Sequence, residues 1–307
     1  MKKMKIALLE DISYSRCFSE YMSHRKNALI DIQIFTSIES IRQYIADNVI
    51  NILLVGQELV NEISGSSHVE KIIVLSEGNC VGEYTQYPVI FKYQSVEVII
   101  KEIFNIIADD ESISECGPKY LRSSKELIGL FSPFGGSGIS MFSLQLAKQL
   151  IRVKKTLYIN LEAFDGHDMR KDGNEYVRGM SEVVFYIRQN KGRLGMKIQS
   201  LIQNYDSCDC LFPVDDYRDL YSMTDKDMTR LVNVLSEETD YDTIIFDIGY
   251  LGESSLSLMK MCDKLILPKV ENSVQRNKQE AFERLLVREG MEKTMSNIHC
   301  VSMCGYA

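Results

Sequence analysis

Residues 132–140 read Ser-Pro-Phe-Gly-Gly-Ser-Gly-Ile-Ser, between an apolar run at 127–131 and an amphipathic stretch at 141–150. A strand, a glycine loop and a helix in that order can cradle phosphate oxygens on main-chain N–H groups at the helix N-terminus. The usual pattern closes on Gly-Lys-Ser/Thr, with the lysine on the β- and γ-phosphates and the hydroxyl on magnesium. Here Gly138 and Ser140 keep their places and Ile139 stands in the lysine slot. The candidate cofactor-binding residues are thus Phe134, Gly135, Gly136, Ser137, Gly138, Ile139, Ser140 and Met141, offering backbone donors and one hydroxyl but no cation. A tight βα turn that has lost its nucleotide would read the same way, and the sequence leaves both open.

The elements that must position this loop follow from hydrophobic periodicity. Strands are expected at 127–131, 156–161, 210–212, 243–246, 264–267 and 298–303, and helices at 141–152, 182–188, 227–235 and 274–288. Before them, short apolar runs at 5–9, 30–34, 52–55, 72–75 and 89–91 alternate with helical spacing, as in a small doubly wound α/β domain. A polar stretch containing Gly117-Pro118 separates the two sets. The expected organisation is residues 1–108, a linker at 109–125 and a second domain at 126–307. The fold class is α/β, with two doubly wound parallel-sheet domains.

Composition narrows the function. The 307 residues carry a net charge of −8, which argues against sequence-independent nucleic-acid binding, since that needs a basic footprint. No stretch reaches the length of a membrane span, and no signal peptide is visible. The eight cysteines are scattered and the four histidines form no zinc spacing, so reduced cysteines in a cytoplasmic protein are expected. One basic cluster, Arg188, Lys191, Arg193 and Lys197 with Arg178 upstream, could meet an anionic surface. A solvated loop face is the plainer reading.

The first domain resembles a response-regulator receiver. Glu10 and Asp11 fall at the acidic cluster after the first strand, Ser76 after the fourth and Lys92 after the fifth. The third strand runs Asn51-Ile-Leu-Leu-Val-Gly56, and glycine stands where the phosphoacceptor aspartate belongs. Glycine has no nucleophilic oxygen, and Glu58 is two residues too far on. A receiver-like interaction module without phosphorylation chemistry is expected. Glu10 and Asp11 then read as a solvated turn and Lys92 as a surface loop residue.

The second domain resembles the MinD/ParA branch of nucleotide-binding proteins, whose deviant loop is Lys-Gly-Gly-x-Gly-Lys-Thr. Phe134 to Ser140 aligns with it without a gap, with Phe134 and Ile139 at its two lysines. The family's Asp-x-Asp strand end is met by Asn160 and Glu162, and its apolar strand ending in aspartate by residues 241–247. The resemblance implies ATP or ADP with magnesium, held by Ser140 and by Asp247 directly or through water. Glu162 is placed to orient water, with a reach altered by one methylene. It implies dimerisation across the nucleotide, where the first family lysine acts like an arginine finger, a group worth about a thousandfold or more in rate. Without it, hydrolysis is very slow or absent unless a displaced cation such as Lys148 or Lys269 serves.

The pairing of a receiver-like domain with such a loop resembles the TadZ/CpaE subgroup. That implies a localisation scaffold for tight-adherence pilus assembly, a homodimer whose partners are pilus or secretion proteins or a polar landmark, recruited to a pole or inner-membrane face. The alternatives are an active ATPase with a displaced lysine and a receiver-based signalling regulator. A C-terminal membrane helix of the MinD kind is not expected.

Overall fold

The structure, a computed structural model, describes residues 3–24, 30–63, 67–78, 86–110, 112–113, 125–164, 166 and 179–303. The chain divides into two compact units, Met1–Lys119 and Tyr120–Ala307. Residues 114–124, the heart of the expected linker, lie outside the described residues, as does Arg178.

Unit 1 runs β1 (Met4–Leu9), α1 (Ile12–His24), β2 (Ile30–Phe35), α2 (Ile38–Asp47), β3 (Ile50–Gly56), α3 (Val60–Ile63), β4 (Val69–Ser76), β5 (Val89–Phe91) and α4 (Val96–Asp109). Its five strands are all parallel, in the order β2-β1-β3-β4-β5. That is the flavodoxin-like doubly wound order. Every residue of the central strand β3 is buried, which its unbroken apolar run requires of a strand covered on both faces.

Unit 2 opens with β6 (Glu126–Phe131), α5 (Ile139–Leu150), β7 (Thr156–Leu161), α6 (Met180–Arg188), α7 (Leu194–Leu201), β8 (Gln203–Tyr205) and β9 (Cys208–Leu211). It continues with α8 (Tyr217–Tyr221), α9 (Asp225–Glu238), β10 (Thr243–Ile248), α10 (Glu253–Met261), β11 (Lys264–Pro268), α11 (Ser273–Arg288), α12 (Glu292–Ser296) and β12 (Ile298–Val301). The sheet order is β12-β11-β6-β10-β7-β9-β8. After β6 the chain crosses over β10's place to reach β7, whereas after β10 it crosses back beyond β6 to β11. The strand direction of winding therefore reverses at β6, and ligands of open α/β sheets sit at such a reversal, beyond the carboxyl ends of the strands.

Two features depart from the sequence reading. The sheet is not wholly parallel, because β8 pairs antiparallel with β9. Asp206 and Ser207 turn between them with φ of 48° and 67°, a left-handed pair of the type that joins tight hairpins. Three residues at a sheet edge carry too little periodicity to announce a strand. Second, the basic cluster is not one solvated loop face. Lys197 is buried on α7, 3.5 Å from Glu182 Oε2. Lys191 and Lys197 both lie over the Tyr186 ring, at 5.2 and 5.6 Å from its centroid. Their alkyl stems and charge are committed to packing α6 and α7. Among the described residues no helix is long and apolar enough to cross a membrane.

Candidate functional site

Register builds the site of unit 2. Phe131 on β6, Ile248 on β10 and Leu161 on β7 lie level at the carboxyl end of the sheet. The residues just past them, the glycine loop, Gly249 and Glu162, therefore converge at one mouth. A cavity of about 400 Å³ opens there. Phe134, Gly135, Gly136, Ser137, Gly138, Ile139, Ser140, Met141 and Glu162 all line it. Phe131, Ser132, Gly166, Ile248 and Gly249 complete the wall.

The loop's shape is set by two glycines. Gly136 and Gly138 have φ of 69° and 75°, in the left-handed region where a side chain is strained. Gly138 is the N-cap of α5 and has no side chain to cap it, so no side-chain oxygen competes for the first N–H groups of the helix. Those donors and the positive end of the helix dipole face the cavity mouth.

Gly249 brings Glu162 close. A Cβ on Gly249 would lie 2.6 Å from Glu162 Cγ and 2.7 Å from its Cα, so only glycine lets β10 pass the end of β7 at this point. Gly249 N–H donates to the Leu161 carbonyl at 3.2 Å, and Glu162 N–H donates to Asn160 Oδ1 at 2.8 Å. Ser140 Oγ donates to Glu162 Oε1 at 2.7 Å.

Asp247 sits behind the cavity wall. It does not line the cavity and is 1% exposed. Tyr158 OH and Ser143 Oγ donate to its Oδ2 at 2.7 and 2.8 Å, and Ser140 Oγ lies 3.5 Å from its Oδ1. Ser143 and Tyr158 carried no motif, although Ser143 stands one helical turn after Ser140, on the same face. Burial raises the Asp247 carboxyl to about 6, against the lowering effect of the hydrogen bonds from Tyr158, Ser143 and Ser140. Because its folded value lies above its unfolded one, its stabilising contribution is complete below about pH 4 and is lost as pH rises through about 6. Compared with Asp247→Asn, the natural chain should gain about 2–3 kcal/mol on going from pH 7 to pH 4. Urea unfolding of both proteins at the two pH values measures this, and an unchanging difference would refute it.

The donor set around Ser140, all oxygen, suits magnesium, which takes one or two carboxylates plus phosphate oxygens. The cradle likewise suits phosphate, since a Cβ added at Gly135 or Gly136 would meet only open space. The charge balance is another matter. Among the described residues, Glu162 is the only charged side chain lining the cavity. Lys148 is paired with Asp206, and Lys269 does not reach the lining.

The equivalent end of unit 1 corrects the sequence reading of Glu10 and Lys92. Both are buried, at 6% exposure each. Lys92 Nζ lies 3.1 Å from Glu10 Oε1 and 2.5 Å from Glu77 Oε1. A Cβ on Gly56 would fall 2.7 Å from Glu10 Oε1. The Glu10 carboxylate thus occupies the space into which an acceptor side chain at position 56 would point. Burial works against the Lys92 ammonium, but its bonds to Glu77 and Glu10 outweigh this and hold its pKa above the usual lysine value. Glu58 is exposed on a turn after β3.

No protein-family model matches the chain, and no curated protein matches it. Among solved structures it is similar to a ParA family ATPase from Chlorobium tepidum TLS, at 17% identity over 58% of this chain and 73% of that one, TM-score 0.47. It is also similar to a plasmid partition protein from Borrelia burgdorferi, at 17% identity over 58% and 77%, TM-score 0.45. A third is the cell division ATPase MinD of Pyrococcus furiosus, at 15% identity over 46% and 58%, TM-score 0.35. The α/β class of unit 2 rests on its own strand order.

Proposed function

We propose that the chain is a nucleotide-dependent assembly scaffold whose unit 2 binds ATP or ADP with magnesium and turns it over very slowly or not at all. The observation that carries this reading is a phosphate-shaped glycine loop at the reversal point of a parallel sheet, with apolar Phe134 and Ile139 where charge would drive catalysis. Backbone dipoles bind an anion in ground state and transition state alike. Such uniform binding holds a ligand without accelerating its reaction. Glu162 could orient water, but no described cation is placed to meet the charge that develops on the phosphates. An ATPase with a displaced lysine would need such a cation in the cavity.

In this reading unit 1 is a docking module, since the Glu10–Lys92 pair fills the place of a phosphoacceptor. The pairing of the two units favours a localisation protein of the TadZ/CpaE kind in tight-adherence pilus assembly. It would act as a homodimer that engages pilus or secretion proteins, or a polar landmark. Calorimetric titration with ATP and magnesium should show saturable binding, with phosphate release below about 10⁻³ per second, the scale of a GTPase lacking its arginine finger. Turnover near one per second would overturn the reading. Sedimentation at several protein concentrations with saturating ATP tests the dimer, and a strict monomer would remove it.

A further inference from the structure

We infer that the outer edge of β5 takes an extended segment of a partner protein as an added strand of the unit 1 sheet. The segment it fits is apolar at alternate positions and basic at one end. The inference rests on the docking reading of unit 1 above, and names the surface and the chemistry of its partner.

The backbone supplies the template. β5 is the last strand of its sheet and pairs with β4. The Pro88 carbonyl accepts from Val74 N–H at 2.9 Å, and Lys92 N–H donates to the Ser76 carbonyl at 2.8 Å. Strand alternation therefore turns residues 88, 90 and 92 toward β4 and directs the N–H and C=O groups of Val89 and Phe91 outward. No described strand meets them there. Such an edge is ready to pair with another chain.

The side chains say what that chain carries. Ile90 and Lys92 are buried, whereas Val89, Phe91 and Tyr93 are 41%, 45% and 62% exposed. The exposed three share one face at period two. The Phe91 and Tyr93 rings meet edge to face at 5.7 Å between centroids. An incoming strand would lay its own alternate residues beside them, and aromatic with β-branched is a favourable cross-strand pair.

Charge fixes one end. Past β5, the carboxylates of Glu10, Asp11 and Glu77 gather around the single ammonium of Lys92, three negative charges against one positive. Asp11 and Glu77 are exposed, and Glu77 also meets the Tyr93 hydroxyl. A lysine or arginine ending the added strand would be drawn to these acids and could lie over the Tyr93 ring. A second copy of this chain fits less well, because both partners would carry the same net charge of −8.

The test selects binders from a random phage-displayed peptide library on the intact chain. The best peptide is titrated by calorimetry into the natural chain, Val89→Pro, Phe91→Ala and Asp11→Asn, each checked for folding by its thermal transition. Proline at position 89 removes one outward N–H and spares the bonds to β4. Asparagine at position 11 can still accept from Ser13 and Tyr14 N–H at the start of α1. Selected sequences should alternate apolar residues and end in lysine or arginine. Val89→Pro and Phe91→Ala should each weaken binding about tenfold or more, and Asp11→Asn about two- to fivefold. The peptide should slow amide exchange at Val89 and Phe91, and N-methylation along its β5-facing edge should abolish binding. Equal affinity for the natural chain, Val89→Pro and Phe91→Ala, with protection elsewhere in unit 1, would overturn the inference and leave the docking reading standing. Protection confined to unit 2, or no selected peptide at all, would overturn both. A nucleotide-free dimer in sedimentation that Val89→Pro abolishes would also overturn the inference, by making a second copy the occupant of the edge.

Discussion

Replacing Lys92 by methionine should destabilise unit 1 by about 3–5 kcal/mol, the usual result of removing one partner from a buried ion pair. The Glu10 and Lys92 side chains are each 7% exposed and 3.1 Å apart. Without the ammonium, the Glu10 carboxylate loses its buried counter-charge, at a place where it lies close against Gly56 at the end of β3. Glu77 cannot compensate, being itself an acid. Because 1.4 kcal/mol is a factor of ten, slow amide exchange in β1 and β3 of the intact chain should accelerate by about a hundredfold or more. The double variant Glu10→Gln with Lys92→Met should recover much of the loss, since no unpaired charge then remains buried. If the single variant exchanges like the natural chain, or the double variant is the worse of the two, the pair does not hold this end of unit 1 together.

Ile139→Lys should tighten ATP binding by about 10–150-fold, the equivalent of one hydrogen bond to a charged group. Ile139 both lines the cavity and belongs to a buried cluster with Leu130, Leu144 and Ile245. A lysine can leave its stem in that apolar contact while the ammonium reaches into the cavity. There it would meet phosphate as a charged donor. Turnover should remain slow, because Phe134 supplies no charge and catalysis requires charge that acts on the transition state. Titration of the folded variant with ATP decides this. No gain in affinity would mean that the loop is a structural turn rather than a phosphate cradle.

Much of this was legible before the fold was seen. The glycine loop, its neighbouring strand and its helix announce themselves through local chemistry. Gly136 and Gly138 have to be glycine for reasons of φ alone. The division into two α/β units follows from short apolar runs alternating with helical spacing. What misled was burial, which is not a local property. Lys92 reads as a loop residue until β5 sets it against Glu10, 82 positions away in the chain. Lys197 reads as part of a basic surface until α7 turns it toward Tyr186.

The amino-acid order by itself determined the backbone shape of the loop and its lack of a cationic side chain, because both depend on residue type at adjacent positions. Only the tertiary structure decided which acid faces the cavity. Asp247 and Glu162 both lie at the carboxyl ends of strands, one inside β10 and one just past β7, and nothing local tells their surroundings apart. Strand register carries Asp247 beneath Ser143 and Tyr158 and leaves Glu162 at the mouth beside Ser140. A carboxylate's role is fixed by its solvation and its hydrogen-bond donors, and those come from segments far apart in the chain.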